Sequence, residues 1–560
     1  MGGDHAAPRR AGARLLRPRR VHLPAALGLD RHRRSGRDPP QPPRDAARRH
    51  HRTVCAPGAD RGRRSGHRDD EDQASDGCGP QRPEGHRVVV PAVVIAAPAS
   101  GSGKTTITTG LIGALVAARH RVAPFKVGPD YIDPGYHAVA AGRVGRNLDP
   151  NLVGADVIAP LLAAGSADAD IAVVEGVMGL FDGRITDDPD PLGVGSTAHV
   201  ATLIGAPVIL VVDAGGHSQS LAALLHGFLG YDARVRVAGV ILNRVGSQRH
   251  EQVLRQACDR VGLPVLGAVR RDADLTVPSR HLGLIPAAER RRDALDSVAA
   301  IVAKVGAALD LPAIVQIARR ARPPAAIAWS AADAIAAADP SAVTGPHRRP
   351  VVAVAEGAAF TFGYAEHAEL LRAAGAEVAG FDPLHDPLPE HAAAVVIGGG
   401  FPEAHADELA ANHSLRAGLR DHVAAGRPVQ AECAGLLYLL SALDGVPMVG
   451  ALPGTGAFGP RLTLGYRDAV AVADSVLYRT GERVTGHEFH RSSVDLATDV
   501  VPAWGWPGGD GPATDGVIHR GVHASYLHVH PVGQPAAVAR FVSAAAAADI
   551  PSPSPEEAVR

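Results

Sequence analysis

Cysteine is scarce in this chain, and what little there is does not cluster. Cys55, Cys78, Cys258 and Cys433 are the only four among 560 residues, and no two form a Cys-x-x-Cys pair. That spacing argues against a zinc ribbon or a disulfide framework and makes a reducing cytoplasm the expected compartment. Net charge is missing too: the formal value is −1, so nothing electrostatic points to nucleic acid or a membrane surface as partner. No stretch reaches the ~18–20 uninterrupted apolar residues of a membrane span, and the start carries no secretory apolar core. Lysine is absent from residues 1–87, which are crowded with Arg, His and Pro and follow neither helical nor strand periodicity. No aromatic or Gly-rich pattern is interleaved with those charges, which disfavours a nucleic-acid arm. A disordered tail, or sequence upstream of the natural start, is expected there.

What is present begins abruptly at residue 88. "VVVPAVVIAAPASGSGKTTITTGLIGALVAARH" runs from a β-branched strand through a Gly/Ser turn into an amphipathic helix. "IAVVEGVMGLFDG", "APVILVVDAGG" and "RVAGVILNRVG" repeat the strand-then-helix alternation. Strands this apolar, separated by helices, predict an α/β domain with a parallel sheet covered on both faces, over residues 88–290. Residues 291–348 read as an Ala-rich helical linker with a Pro-containing exit. A second α/β series, "PVVAVAEG", "AAVVIGGGFPE" and "RPVQAECAGLLYLL", fills 349–545, and a disordered tail is expected over 546–560.

The turn "SGSGKTT" is a phosphate-binding candidate. Backbone N–H groups around Ser102 and Gly103 would cradle phosphates at a helix N-terminus, together with Thr106. Lys104 would neutralise the outer phosphates and Thr105 would hold magnesium. The strict pattern is broken, since Pro98 stands where its first glycine belongs. Asp130, Glu175 and Asp182 follow strand patterns, at the sheet end where open α/β folds bind ligands. Magnesium, an oxygen-seeking ion, needs only one or two such carboxylates beside Thr105. Asn243 closes another strand and suits either an adenine edge or a turn.

Cys433 sits where a strand pattern meets a helix pattern, the sharp turn on which α/β enzymes expose a nucleophile. A thiol at a helix N-terminus is favoured as thiolate. The N–H of Ala434 would face an oxyanion, with a second donor from Gly399 or Gly400. Such a nucleophile needs a base, and "GVHASYLHVHP" offers His523, His528 and His530. Strand alternation would put His528 and His530 on one face. Too few other ligands cluster there for a metal site.

In their order, "APASGSGKTT", "FKVGPDYIDP", "EGVMGLFDG", "IGGGFPE", "AECAGLLYL", "GHEFHRS" and "ASYLHVH" resemble the cobyrinic/hydrogenobyrinic acid a,c-diamide synthases of cobalamin biosynthesis over residues 90–545. The resemblance implies a dethiobiotin-synthetase-like ATP domain followed by a triad-type glutamine amidotransferase domain. It implies an ATP- and magnesium-dependent ligase that hydrolyses glutamine at Cys433. The ammonia would amidate the a and c carboxylates of hydrogenobyrinate or cobyrinate through acyl phosphates, and a homodimer is usual for the type. On matching positions it implies Asp130 and Glu175 as magnesium carboxylates, and Tyr131, Asp133 and Asp182 as substrate or activation residues. Lys126 is a candidate for holding the polyanionic substrate. The usual His-x-Glu reads His528-Val529-His530 here, so a Cys433–His528 dyad is expected, with His530 in a packing or secondary role. The runner-up is cobyric acid synthase, which amidates other corrin carboxylates. A partition-type ATPase is remote, since its extra signature Lys is absent and the cysteine domain would go unexplained.

Overall fold

The computed structural model describes residues 90–548, except 187–189, 191, 273–278, 281–282, 285–290, 340–348, 498 and 509–510. The expectations for 1–87 and most of 546–560 therefore lie outside the described residues. The first sheet has seven parallel strands: β1 (Ala92–Ala96), β2 (Val122–Val127), β3 (Arg146–Leu148), β4 (Ile171–Glu175), β5 (Val208–Asp213), β6 (Val237–Val245) and β7 (Val265–Arg270). Their order is β3-β2-β4-β1-β5-β6-β7. Every residue of β1, β2 and β4 is buried, as a sheet covered on both faces requires. At β1 the order turns from one direction to the other. The crevice beyond its carboxyl end is the place where such sheets bind ligands, and there the chain enters α1 (Lys104–Ala117).

Residues 291–339, expected as a linker, supply three helices that pack onto the elements of the two flanking domains. Arg291–Gly306 lies along α1, Leu311–Ala318 against β1 and β7, and Ala331–Ala338 against helices Ala365–Ala373 and Pro535–Ala547. Glycines make the first of these contacts possible. A Cβ at Gly110 would stand 2.5 Å from Val305 Cβ, and one at Gly113 would stand 2.1 Å from Val302 Cγ2.

The second sheet runs Glu377–Phe381, Val351–Ala355, Ala392–Ile397, Val429–Glu432, Val522–Ser525 and Val517–His519, with only the last pair antiparallel. A long antiparallel hairpin, Gly454–Ala471 with Arg483–Leu496, crosses beside it. Among the described residues no helix is long and apolar enough to cross a membrane.

Candidate active site

Two clusters of polar side chains form, one at the carboxyl end of each parallel sheet. At the first, Gly101 and Gly103 take positive φ (77° and 91°), a conformation glycine adopts without strain. Gly103 also has no room for a side chain: a Cβ there would meet Asn243 Nδ2 at 2.2 Å. Asn243 donates from that nitrogen to Ser102 O (2.9 Å), and Ser102 Oγ donates to Ala99 O (2.8 Å). Both residues thus brace the loop from within. Lys104 Nζ donates to Met178 O at 2.5 Å. Its pKa is lowered, by burial and then by Lys126.

Thr105 Oγ1 lies 2.8 Å from Glu175 Oε1 and 3.1 Å from Asp133 Oδ2. The buried Lys126 ammonium pairs with Asp133 and with Glu175 (2.9 Å), and stands 3.7 Å from Asp130. Burial alone would depress the Lys126 pKa; Asp133, Glu175 and Asp130 outweigh it and hold the ammonium charged. Glu175 in turn sits 2.6 Å from His137 Nε2, and despite burial its carboxyl stays far below the usual range beside Lys126 and His137. The carboxylate brought to Thr105 along with Glu175 is therefore Asp133. Asp130 instead uses Oδ1 to accept from Ile132 N (2.8 Å) and Asp133 N (3.1 Å). Asp182 accepts from Gly179 N (2.8 Å), closing a turn outside the cavity lining. That cavity, about 520 Å³, is lined by Gly103, Lys104, Thr105, Thr106 and Asn243, with Arg244, Arg270 and Arg271 at its other side.

Among the described residues no three Cys, His or carboxylate groups converge as an all-protein metal site. Magnesium does not require one. Its usual partners are one or two carboxylates, a hydroxyl and phosphate oxygens, and the oxygen set of Thr105, Glu175 and Asp133 fits it.

At the second sheet, Cys433 follows the strand Val429–Glu432 with φ 52° and ψ −102°. A non-glycine residue there is strained, as nucleophile turns are. Its N–H donates to Ser525 O at 2.7 Å, and Ala434 opens the following helix. Gly399 packs against His528 and Phe362, and Gly400 against the backbone of Ala359 and Phe360. A Cβ at Gly399 would meet His528 Cε1 at 2.6 Å, and one at Gly400 would meet Ala359 O at 2.0 Å.

The three histidines part company. The strand ends at Ser525, so the expected alternation does not reach His528 and His530. His528 is instead bound by reciprocal 2.9 Å backbone bonds to His487. Burial would lower its pKa, but the neighbouring Cys433 and Glu432 lift it to about 10. His523 lies 3.1 Å from Ser475 Oγ between Tyr478 and Trp504, and burial lowers its pKa to about 3. His530 stacks on Tyr364 at 3.9 Å and accepts from Val532 N, its pKa also down to about 3 by burial. Of the three, only His528 is coupled to the thiol.

Comparison with known proteins resolves which enzymes carry these two ends. Residues 93–285 match the CobQ/CobB/MinD/ParA nucleotide binding domain, and residues 351–535 match the CobB/CobQ-like glutamine amidotransferase domain. Hydrogenobyrinate a,c-diamide synthase of Mycobacterium bovis is 60% identical over 462 residues, covering 82% of this chain and 98% of its own. The Streptomyces coelicolor enzyme of the same name is 53% identical over 476 residues (81% and 97%). The cobyrinate a,c-diamide synthase of a Synechococcus strain is 40% identical over 469 residues (81% and 98%). The chain belongs to the a,c-diamide synthase family.

The family's two halves meet at Tyr131. Its hydroxyl donates to Tyr364 Oη (2.9 Å), its ring stacks on Phe362 at 5.1 Å, and it lies 5.2 Å from the His528 ring. This chain thus keeps its two polar ends on either side of one aromatic wall. Beside it lies a largely apolar cavity of about 730 Å³, lined by Tyr131, Met178, Tyr466, His487 and Phe489, and sharing Asp130, Asp133 and Met178 with the nucleotide-side cavity. Sequence reasoning missed this wall, the arginines at the end of β7 and Glu432. Arg270 and Arg271 were findable from their position at a strand's carboxyl end. Glu432 is the residue just before Cys433.

Proposed function

We propose that this chain is the glutamine-hydrolysing, ATP-dependent enzyme that amidates the a and c carboxylates of hydrogenobyrinate or cobyrinate in cobalamin biosynthesis, working in the cytoplasm. The observation that carries the reading is the shared wall of the two cavities. A corrin carboxylate in the apolar cavity would meet a nucleotide's terminal phosphate at Asp130 and Asp133. Its volume lies within the ordinary range for small-ligand sites, and its apolar lining suits a macrocycle.

In this reading, the Cys433 sulfur attacks the side-chain carbonyl of glutamine, and His528 gives its proton to the departing ammonia, leaving a thioester. Water then attacks with His528 taking a proton, and glutamate leaves. At the other end the corrin carboxylate takes the γ-phosphoryl group of ATP, releasing ADP, and ammonia displaces phosphate to leave the amide. Phosphorylation is needed because a carboxylate is a poor acylating agent. Lys104 and Lys126 supply fixed positive charge to this transfer. Magnesium would be held by Thr105, Glu175 and Asp133, where it would draw charge from the phosphates.

Incubation with ATP, magnesium, glutamine and each corrinoid separately, followed by mass analysis, tests the reading. Two amidations are expected. Four would favour the cobyric acid synthase reaction, and none would overturn both. Cys433→Ser and His528→Ala are expected to abolish amidation from glutamine and retain it from free ammonia.

A further inference from the structure

The position two residues after the base, a glutamate in the usual triad, is His530, and His530 is turned away onto Tyr364. Yet His528 does not lack a carboxylate. Its Nδ1 lies 3.5 Å from Glu432 Oε2, with His528 fully enclosed and the Glu432 side chain 18% exposed. The two neighbours of the imidazole are thus consecutive in sequence: Glu432 ends the strand, and Cys433 occupies the strained turn that follows it. Gln430 fixes the carboxylate by donating from Nε2 to Oε1 at 3.1 Å. The His528–Glu432 separation is an ion-pair contact, and among the described residues the buried Nδ1 makes no hydrogen bond.

We propose that Glu432 is the third member of the glutaminase, a positioning residue that orients His528 and keeps it protonated, supplied from the strand before the nucleophile instead of from the segment after the base. The inference rests on the assignment of Cys433 and His528 above. A solvated rim carboxylate is the bland alternative. It is disfavoured because Glu432 is tethered on one oxygen and faces the imidazole with the other.

The other titratable groups around His528 do not substitute for it. They are Cys433 on the nucleophile turn, His487 on the crossing hairpin and Tyr131 from the first domain, while Tyr364, His367 and His530 gather around Glu432 itself. None of these histidines and tyrosines carries a negative charge at neutral pH. Against the effect of burial, Cys433 raises the imidazole most and Glu432 adds to it.

The test compares wild type, Glu432→Gln, Glu432→Asp and Cys433→Ser for glutaminase kcat/KM against pH, for amidation from free ammonia, and for melting temperature. Glu432→Gln is expected to lower kcat/KM for glutamine about 10- to 100-fold, since a thiol leans on its base less than a hydroxyl does. The alkaline limb, where His528 loses its proton, should move down by about one pH unit or more. Glu432→Asp should recover part of both, and amidation from ammonia should keep its rate. An unmoved alkaline limb with kcat/KM within twofold of wild type would overturn the proposal. So would equal loss of ammonia-dependent amidation or a collapsed melting temperature, which would make Glu432 structural. If Cys433→Ser kept its glutaminase activity, the parent assignment would fall as well.

Discussion

At the scale of single residues, Lys126 carries the heaviest electrostatic burden. An ammonium this deeply enclosed is tolerated because Asp133, Glu175 and Asp130 surround it. Removing one partner of such a group leaves uncompensated charge behind, at about 3–5 kcal/mol. Lys126→Met is therefore expected to lower the melting temperature and to reduce ammonia-dependent amidation by about 100-fold or more. Adding Asp133→Asn should restore much of the stability and none of the activity; recovery of both would show that Lys126 only balances charge. Part of this cluster was legible in sequence, because Asp130 and Glu175 follow apolar strands with little else to explain them, whereas Asp133 came only from the family resemblance. What was not legible is how Asp130 and Asp133 divide the work. Three residues apart at the start of a helix, one caps the backbone and the other turns inward to Thr105, and residue identity does not distinguish them. The histidines show the same limit: the strand that would have put His528 and His530 on one face stops at Ser525.

Among elements, the parallel strands were readable because strands buried on both faces are unbroken apolar runs. The hairpin Gly454–Ala471 with Arg483–Leu496 was not. Much of it is half-exposed, with Gly, Arg and Thr scattered through it, so neither a run nor a clean alternation marks it. The segment after residue 290 was legible as helix and illegible as packing, since the sequence of a helix does not name the surface it covers. Gly110 and Gly113 decide that contact by letting the helix Arg291–Gly306 approach α1. Helix propensity favours alanine over glycine by about 1 kcal/mol, yet Gly110→Ala would drive Cβ into Val305. Overpacking of this kind costs about 1–3 kcal/mol, so the clash is expected to win. Urea denaturation should show Gly110→Ala less stable than wild type and Gly110→Ala/Val305→Ala nearer to it. A more stable single variant would mean that the helix pair slides apart freely.

Under the proposed function the whole molecule must keep its two chemistries in step, because ammonia released at Cys433 would be useful only if it reached the activated carboxylate. Sequence could name both chemistries but not their spacing, which is set by contacts between residues hundreds of positions apart. Several ties link the halves. Tyr466 donates to Asp149 at 2.8 Å, Arg184 pairs with Asp468 at 2.6 Å, and Arg146 pairs with Glu366 at 2.7 Å and Glu369 at 2.5 Å. Exposed pairs such as Arg184–Asp468 contribute little. Arg146–Glu366 differs, since Glu366 is only 1% exposed and loses its compensating charge if Arg146 goes. Arg146→Ala is therefore expected to loosen the join at a cost of about 3–5 kcal/mol, with a functional signature distinct from the loss of either half. Glutamate produced per amide formed should rise above the wild-type ratio, while glutamine hydrolysis and ammonia-dependent amidation, each measured alone, continue. Arg121→Ala, which breaks an exposed pair with Asp170 inside the first half, should leave the ratio unchanged. An unchanged ratio in Arg146→Ala would mean that the aromatic wall around Tyr131 holds the two ends together without help from the ion pair.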